Sequence, residues 1–167
     1  MKHKNLHCFL LMTLLSVFAW AAGPKEGSPA PRATANTLSG ITLDTETLRG
    51  KVVVLHFWAT WCPPCREEMP VLEKFYSEHR GDGLEIIAIS MDEAGDEAKV
   101  KQFSQKFSYS IAMQSNSKVE QFGRIWALPL TFVIDRRGIL RKSDWTGQEK
   151  VDYASLAKIV LPLLQEK

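Results

Sequence analysis

Cysteine is scarce in this chain, three in 167 residues, and histidine hardly commoner at four. A zinc ribbon needs a second cysteine pair or histidines to complete its ligand set, and beyond Cys62 and Cys65 only Cys8 remains. A c-type haem attachment needs histidine straight after its second cysteine, and position 66 is Arg. An excess of either charge is also missing. Lys plus Arg number 21 against 19 Asp plus Glu, a net charge of +2. Two of those cations, Lys2 and Lys4, lie in an N-terminal segment expected to be removed. That balance leaves no basic footprint for nucleic acid. Long hydrophobic runs are also scarce, and the one that stands out is short for a bilayer span. The apolar stretch from Cys8 to Ala22 is 15 residues, short of the roughly 20 that a spanning helix needs. No 20–50-residue repeat is visible, which excludes solenoids and propellers.

What is present begins with an export signal. Met1-Lys2-His3-Lys4 is basic, Leu6 to Ala22 is largely apolar, and Ala19-Trp20-Ala21 has the small-x-small form of a cleavage site. Residues 1–21 are therefore expected to be a signal peptide, cleaved after Ala21. Left uncleaved, the same segment would be a membrane anchor. Cys8 lies inside the apolar run and reads as one more apolar residue of the signal. Residues 22–36 contain Pro24, Pro29 and Pro31 among Gly, Ser, Ala and Thr, and are expected to form a flexible linker. Residues 37–167 are expected to form the folded domain. Hydrophobic residues at 45% and charged residues at 24% suit a soluble globular protein.

Along that domain, Leu38–Leu43 is a candidate strand. Lys51–Trp58 is an almost unbroken β-branched and aromatic run, the pattern of a strand covered on both faces. Pro63–His79 reads as a helix, with Met69, Leu72, Phe75 and Tyr76 at three- and four-residue spacing, ended by Gly81-Asp82-Gly83. Leu84–Ser90 is a second buried strand and Asp96–Phe107 an amphipathic helix. Tyr109–Met113 is a short strand and Lys118–Phe122 a helical turn. Thr131–Asp135 turns at Arg136-Arg137-Gly138 into Ile139–Trp145, a hairpin. Val151–Leu161 is the last helix, with Pro162 near its end. This order implies an α/β fold: a mixed central sheet with helices on both faces.

The chemistry lies at Trp61-Cys62-Pro63-Pro64-Cys65. Two cysteines three residues apart, between a buried strand and a helix, fall within disulfide reach on one helical turn. Cys62 falls at the helix N-terminus, where the dipole and unpaired N–H groups stabilise a thiolate. That thiolate is the attacking species in disulfide exchange. Cys65, a turn further in, resolves the mixed disulfide. Pro63 and Pro64 suit the first helical positions but carry no N–H. Two donors to the sulfur are thus lost, and those of Cys65 and Arg66 remain. The loss points away from a strong oxidant, toward a reductant or an intermediate potential.

These residues resemble the thioredoxin superfamily, and the chain from Leu38 to Leu164 resembles its exported branch, the TlpA/ResA-like thiol–disulfide oxidoreductases of the redoxin group. Pro70 stands where that family's active-site helix has its kinking proline. Leu128-Pro129-Leu130-Thr131-Phe132 stands where it has its cis-proline. The long connection from Met91 to Pro129 matches its inserted strand and helix. The resemblance implies that Pro129 packs against the cysteines and that the Leu128 backbone pairs with an extended client segment. It places His56 beneath the redox pair, where it either relays a proton or is a hydrogen-bonded core histidine, the plainer reading. It places Glu93, next to Asp92, as a partly buried acid that tunes the thiols, or else as a solvated helix cap. Trp58 is read as core, and Trp61 as a shield of the sulfurs that offers an apolar contact. Trp126 is open between lining that same surface and packing.

The function implied is a thiol–disulfide oxidoreductase with no cofactor and no metal. It would reduce protein disulfides outside the cytoplasm, periplasmic in a bacterial setting, with a part in cytochrome c maturation one possibility. Partners would be thiol or disulfide client proteins and a membrane electron donor. A disulfide oxidase differs from it in reduction potential. A thiol peroxidase of the same fold fits less well, because the relatives that reduce peroxide carry Thr-x-x-Cys, whereas Ala59 precedes Cys62 by three. A non-catalytic binding module would have no use for both cysteines and Pro129.

Overall fold

Residues 23–146 and 150–166 are described by a computed structural model. The signal read over residues 1–21 lies outside them. In chain order the elements are strands β1 (Thr34–Thr37), β2 (Thr42–Asp44) and β3 (Val52–Trp58), helix α1 (Pro63–His79), strand β4 (Leu84–Ser90), helix α2 (Glu97–Ser104), strands β5 (Ser110–Lys118), β6 (Leu130–Ile134) and β7 (Leu140–Thr146), and helix α3 (Tyr153–Gln165). The strands form one sheet in the order β2-β1-β5-β4-β3-β6-β7. β3, β4 and β5 run parallel, and β6, β7, β1 and β2 add antiparallel pairs at either side. Every residue of β3 and β4 is buried, as continuous apolar runs demand.

Alternation along β3 divides the core in two. Val52, Val54 and Trp58 face a cluster made with Met69, Leu72 and Phe75 of α1, Val100 of α2, and Leu156, Val160 and Leu163 of α3. Val53, Leu55 and Phe57 face the other way, against Ala33, Ala35, Leu48, Val119 and Phe122. The helical cover of the mixed sheet is therefore uneven. Among the described residues, α1, α2 and α3 all contribute to one cluster, whereas the second face is covered by the single turn Glu120–Phe122, the N-terminal segment and Leu48.

Several boundaries differ from the sequence reading. The segment expected to be a flexible linker is part of the domain from about residue 26. Gly27 N–H donates to Leu140 O at 2.8 Å, Ala30 N–H to Gly138 O at 2.9 Å, and Leu140 N–H to Ser28 O at 2.9 Å. Residues 27–30 thereby pair with Gly138–Leu140 and cover the edge of β7 at its start, where backbone groups would otherwise be unpaired. Ala33 and Ala35 are buried in the second cluster. The strand expected at Leu38–Leu43 is instead the turn and second arm of a hairpin. Gly40, at φ +85°, reverses the chain between β1 and β2. The helix expected at Asp96–Phe107 is shorter, with a 3₁₀ turn at Ala94–Asp96 before α2. α3 runs past Pro162 to Gln165 because Leu163 stays on the buried stripe of Leu156 and Val160 while Pro162 faces solvent.

Candidate active site

Parallel strands β3 and β4 end side by side, and the loops beyond them make one rim. Met91 N–H donates to Trp58 O at 2.8 Å, joining the two loops at their start. Asp92 joins them further on. Its carboxylate accepts from Thr60 N–H at 2.9 Å, Thr60 Oγ1 at 2.5 Å and Ser90 Oγ at 2.7 Å, all buried. Thr60 is thus held in place two residues before Cys62.

Cys62 is the N-cap of α1, in extended geometry (φ −94°, ψ 105°), with Pro63 and Pro64 in the first two helical positions. Its Sγ accepts from the Cys65 N–H at 3.3 Å. Both donors left by the prolines were expected to serve the sulfur. Only that of Cys65 does, because Arg66 N–H bonds the Cys62 carbonyl at 3.2 Å as the first helical hydrogen bond. Cys62 and Cys65 form a disulfide with Cα atoms 5.4 Å apart, well inside the reach of such a bond. Cys62 is 4% exposed and Cys65 fully buried. The outer sulfur is the one a partner can approach.

The Leu128–Pro129 peptide bond is cis. Together with Trp61, Cys62, Pro63, Pro64, Met91, Ile125, Trp126 and Ala127, Leu128 lines a groove of about 600 Å³ over the disulfide. Trp61 and Trp126 stand at this groove largely exposed. Trp58 is buried against Phe103, ring centroids 5.4 Å apart, so of the two tryptophans just before the cysteine pair one is core and the other exposed.

His56 points to the helix side of β3. It is fully buried, and its Nδ1 lies 2.9 Å from the Thr131 hydroxyl of the neighbouring strand, its cross-strand partner. Burial pushes its pKa down to about 3, so the ring is neutral at any ordinary pH. These are the surroundings of a core histidine. Its Nε2 has no partner among the described residues.

Of the two readings of Glu93, a partly buried acid or a solvated helix cap, the structure has the second position: Glu93 is exposed at the N-cap of the 3₁₀ turn Ala94–Asp96, with no side-chain hydrogen bond. The buried carboxylate of that loop is Asp92. A second buried acid went unread in the sequence: Glu68, one helical turn after Cys65 on the same face of α1. It is 2% exposed, its Oε1 accepts from Val151 N–H at 3.1 Å, and its Oε2 has no partner among the described residues. Burial raises its pKa to about 7. The signal was available. Positions 65, 68, 69 and 72 follow the buried helical stripe, and an acid on that stripe is conspicuous.

Among the described residues no three His, Cys, Asp or Glu side chains converge as a metal site. No described helix is long and apolar enough to cross a membrane.

Residues 27–143 match the model of the AhpC/TSA family. A relative named "Thioredoxin-like protein YneN" from Bacillus subtilis is 31% identical over 152 residues, covering 84% of this chain and 89% of its own. A relative named "Thiol-disulfide oxidoreductase ResA" from Bacillus thuringiensis is 36% identical over 138 residues, covering 81% and 79%. Among solved structures, a thiol:disulfide interchange protein of the thioredoxin family from Chlorobium tepidum superposes with a TM-score of 0.68 at 26% identity, covering 86% of this chain and 99% of that one. The mixed sheet and helices match those of such thioredoxin-fold neighbours.

Proposed function

The chain belongs to the AhpC/TSA family and is a thiol–disulfide oxidoreductase, and on that premise we propose that it reduces protein disulfides outside the cytoplasm, with Cys62 as attacking and Cys65 as resolving thiol. The observation that carries this reading is the placement of the two sulfurs: one at the helix mouth in an open groove, its partner sealed behind it within bonding distance. In the dithiol form, the Cys62 thiolate attacks a client sulfur and the client's second sulfur leaves as a thiolate. Cys65 then gives up its proton and attacks Cys62 Sγ. The client's first sulfur is released, and the Cys62–Cys65 disulfide holds the two electrons' worth of oxidation taken from the client.

Glu68 suits the proton step. A carboxyl with a pKa near 7 both takes and returns a proton near neutral pH, and it lies one turn from Cys65. Its unpartnered oxygen is free to receive that proton. His56, held neutral, contributes packing and its bond to Thr131. The backbone beside Pro129 pairs with the extended client.

The direction and the compartment rest on sequence. Two prolines deprive the Cys62 sulfur of donors, which favours a reductant. The signal-like residues 1–21 favour export, to the periplasm in a bacterial cell. There the lack of a soluble reducing pool calls for a membrane electron donor, and cysteines of an apocytochrome c haem site are a fitting client class. Insulin reduction by the dithiol-regenerated protein tests the activity. Turnover that is lost in Cys62→Ser supports the reading, and turnover that survives it overturns it.

A further inference from the structure

We propose that Trp126 selects clients by the side chain beside their reactive cysteine: the groove takes an extended segment whose cysteine is flanked by bulky apolar residues and rejects charged flanks. This rests on the oxidoreductase reading above and names the substrate class for the same site.

Three large hydrophobic side chains are conspicuously exposed among the described residues: Ile41, Trp61 and Trp126. Two of the three belong to this one groove, although they come from segments far apart in the chain. Trp61 precedes the attacking cysteine, whereas Trp126 stands three residues before Pro129. Trp126 is 68% exposed, so the fold itself makes little use of it. Exposed aromatics gathered at one place mark a contact surface.

The occupant follows from what lies in the groove. Cys62 is part of its wall, and on the oxidoreductase reading the occupant that brings a sulfur to it is the client chain. Among the described residues no side chain that carries a charge lines it; beyond the cysteine the lining is Trp, Pro, Met, Ile, Ala and Leu. A charged residue entering beside the cysteine would lose hydration and find no partner. An apolar one would bury surface against an indole that has only two side-chain torsions to fix. The positive end of α1 at Cys62 offsets part of that cost for an acidic flank, but neither sign meets an opposite side-chain charge in the lining, so both are disfavoured against an apolar flank.

The test uses the full chain, reduced with dithiothreitol and freed of it. It is mixed with pentapeptides whose central cysteine is a mixed disulfide with thionitrobenzoate. Exchange at Cys62 followed by attack from Cys65 leaves the protein disulfide, the peptide thiol and free thionitrobenzoate, which is coloured. Each rate is divided by the same variant's rate with a thionitrobenzoate disulfide lacking a peptide. Leu or Phe flanks should outpace both Asp and Lys flanks by about tenfold, within the range of apolar pockets. Trp126→Ala should bring that ratio below about threefold, and Trp126→Phe should keep most of it. A wild-type ratio near one, a ratio unchanged in Trp126→Ala, or rejection of one charge sign alone overturns the proposal. Failure of the underlying reading looks different: colour release would then be as fast in Cys62→Ser as in wild type, whatever the flanks.

Discussion

The Cys65 amide donates to the Cys62 sulfur at 3.3 Å, across a turn whose two intervening residues are prolines. It is the sole helix N–H given to that sulfur, since Arg66 N–H is taken by the Cys62 carbonyl. Pro64→Ala restores a second donor at the position an N-cap side chain ordinarily uses. A donor to a charged sulfur stabilises the dithiol form over the disulfide. The reduction potential should become less negative by about 30 mV, equivalent to about 1.4 kcal/mol. Equilibration with a dithiothreitol redox buffer reads this directly; a potential that is unchanged or more negative would contradict it.

Glu68 makes stability fall as pH rises. Below about 4.5 its carboxyl is protonated in both states. Between there and about 7 the unfolded chain releases the proton while the buried carboxyl holds it, so folding is progressively disfavoured. Glu68→Gln keeps the shape and an acceptor for Val151 N–H, and should remove this slope. The variant should be the more stable of the two at pH 8, measured by urea midpoint, with the advantage shrinking toward pH 4.5.

His56 works in the opposite sense. Its folded pKa of about 3 lies below the unfolded value of 6.5. Its contribution is therefore complete above 6.5 and is lost as pH falls toward 3, where the unfolded chain alone is protonated. His56→Gln should flatten the acid side of the stability profile, whatever it does to the level at neutral pH. An acid limb of unchanged slope would show that the ring is hydrated.

How far the sequence revealed these sites varied with the kind of signal. β3, β4 and α1 were legible nearly to the residue, because long apolar runs and a regular helical stripe are local properties. The strap at residues 27–30 was not, because its order comes from pairing with β7 more than a hundred residues away, and a segment of Pro, Gly, Ser and Ala has no local pattern to announce it. The polar half of β5, Gln114–Lys118, was missed for the same reason: it is held by β1, through Thr34 opposite Lys118 and Ala35 opposite Ser117. The acid near the cysteines was sought in the loop, at Glu93, because the helix was read by its apolar positions alone. Counting every residue on the buried stripe would have found Glu68.

Asp92 should matter to both stability and turnover. Asp92→Ala leaves Thr60 N–H, Thr60 Oγ1 and Ser90 Oγ without their buried acceptor and should cost about 2 kcal/mol by denaturant unfolding. Because Thr60 leads directly into Trp61-Cys62, exchange should slow as well, even at temperatures where the variant is folded. Loss of stability with turnover intact would show that the loop keeps its position without the carboxylate.

The most direct measurement is capture of the reaction halfway. Cys65→Ser keeps the attacking thiol and removes the resolving one, so mixing it with an oxidised client such as insulin should leave a covalent adduct on Cys62. That adduct should dissolve in dithiothreitol and be absent from Cys62→Ser. Recovery of Cys65→Ser with Cys62 still free, or an equal adduct in the Cys62→Ser variant, would contradict the account.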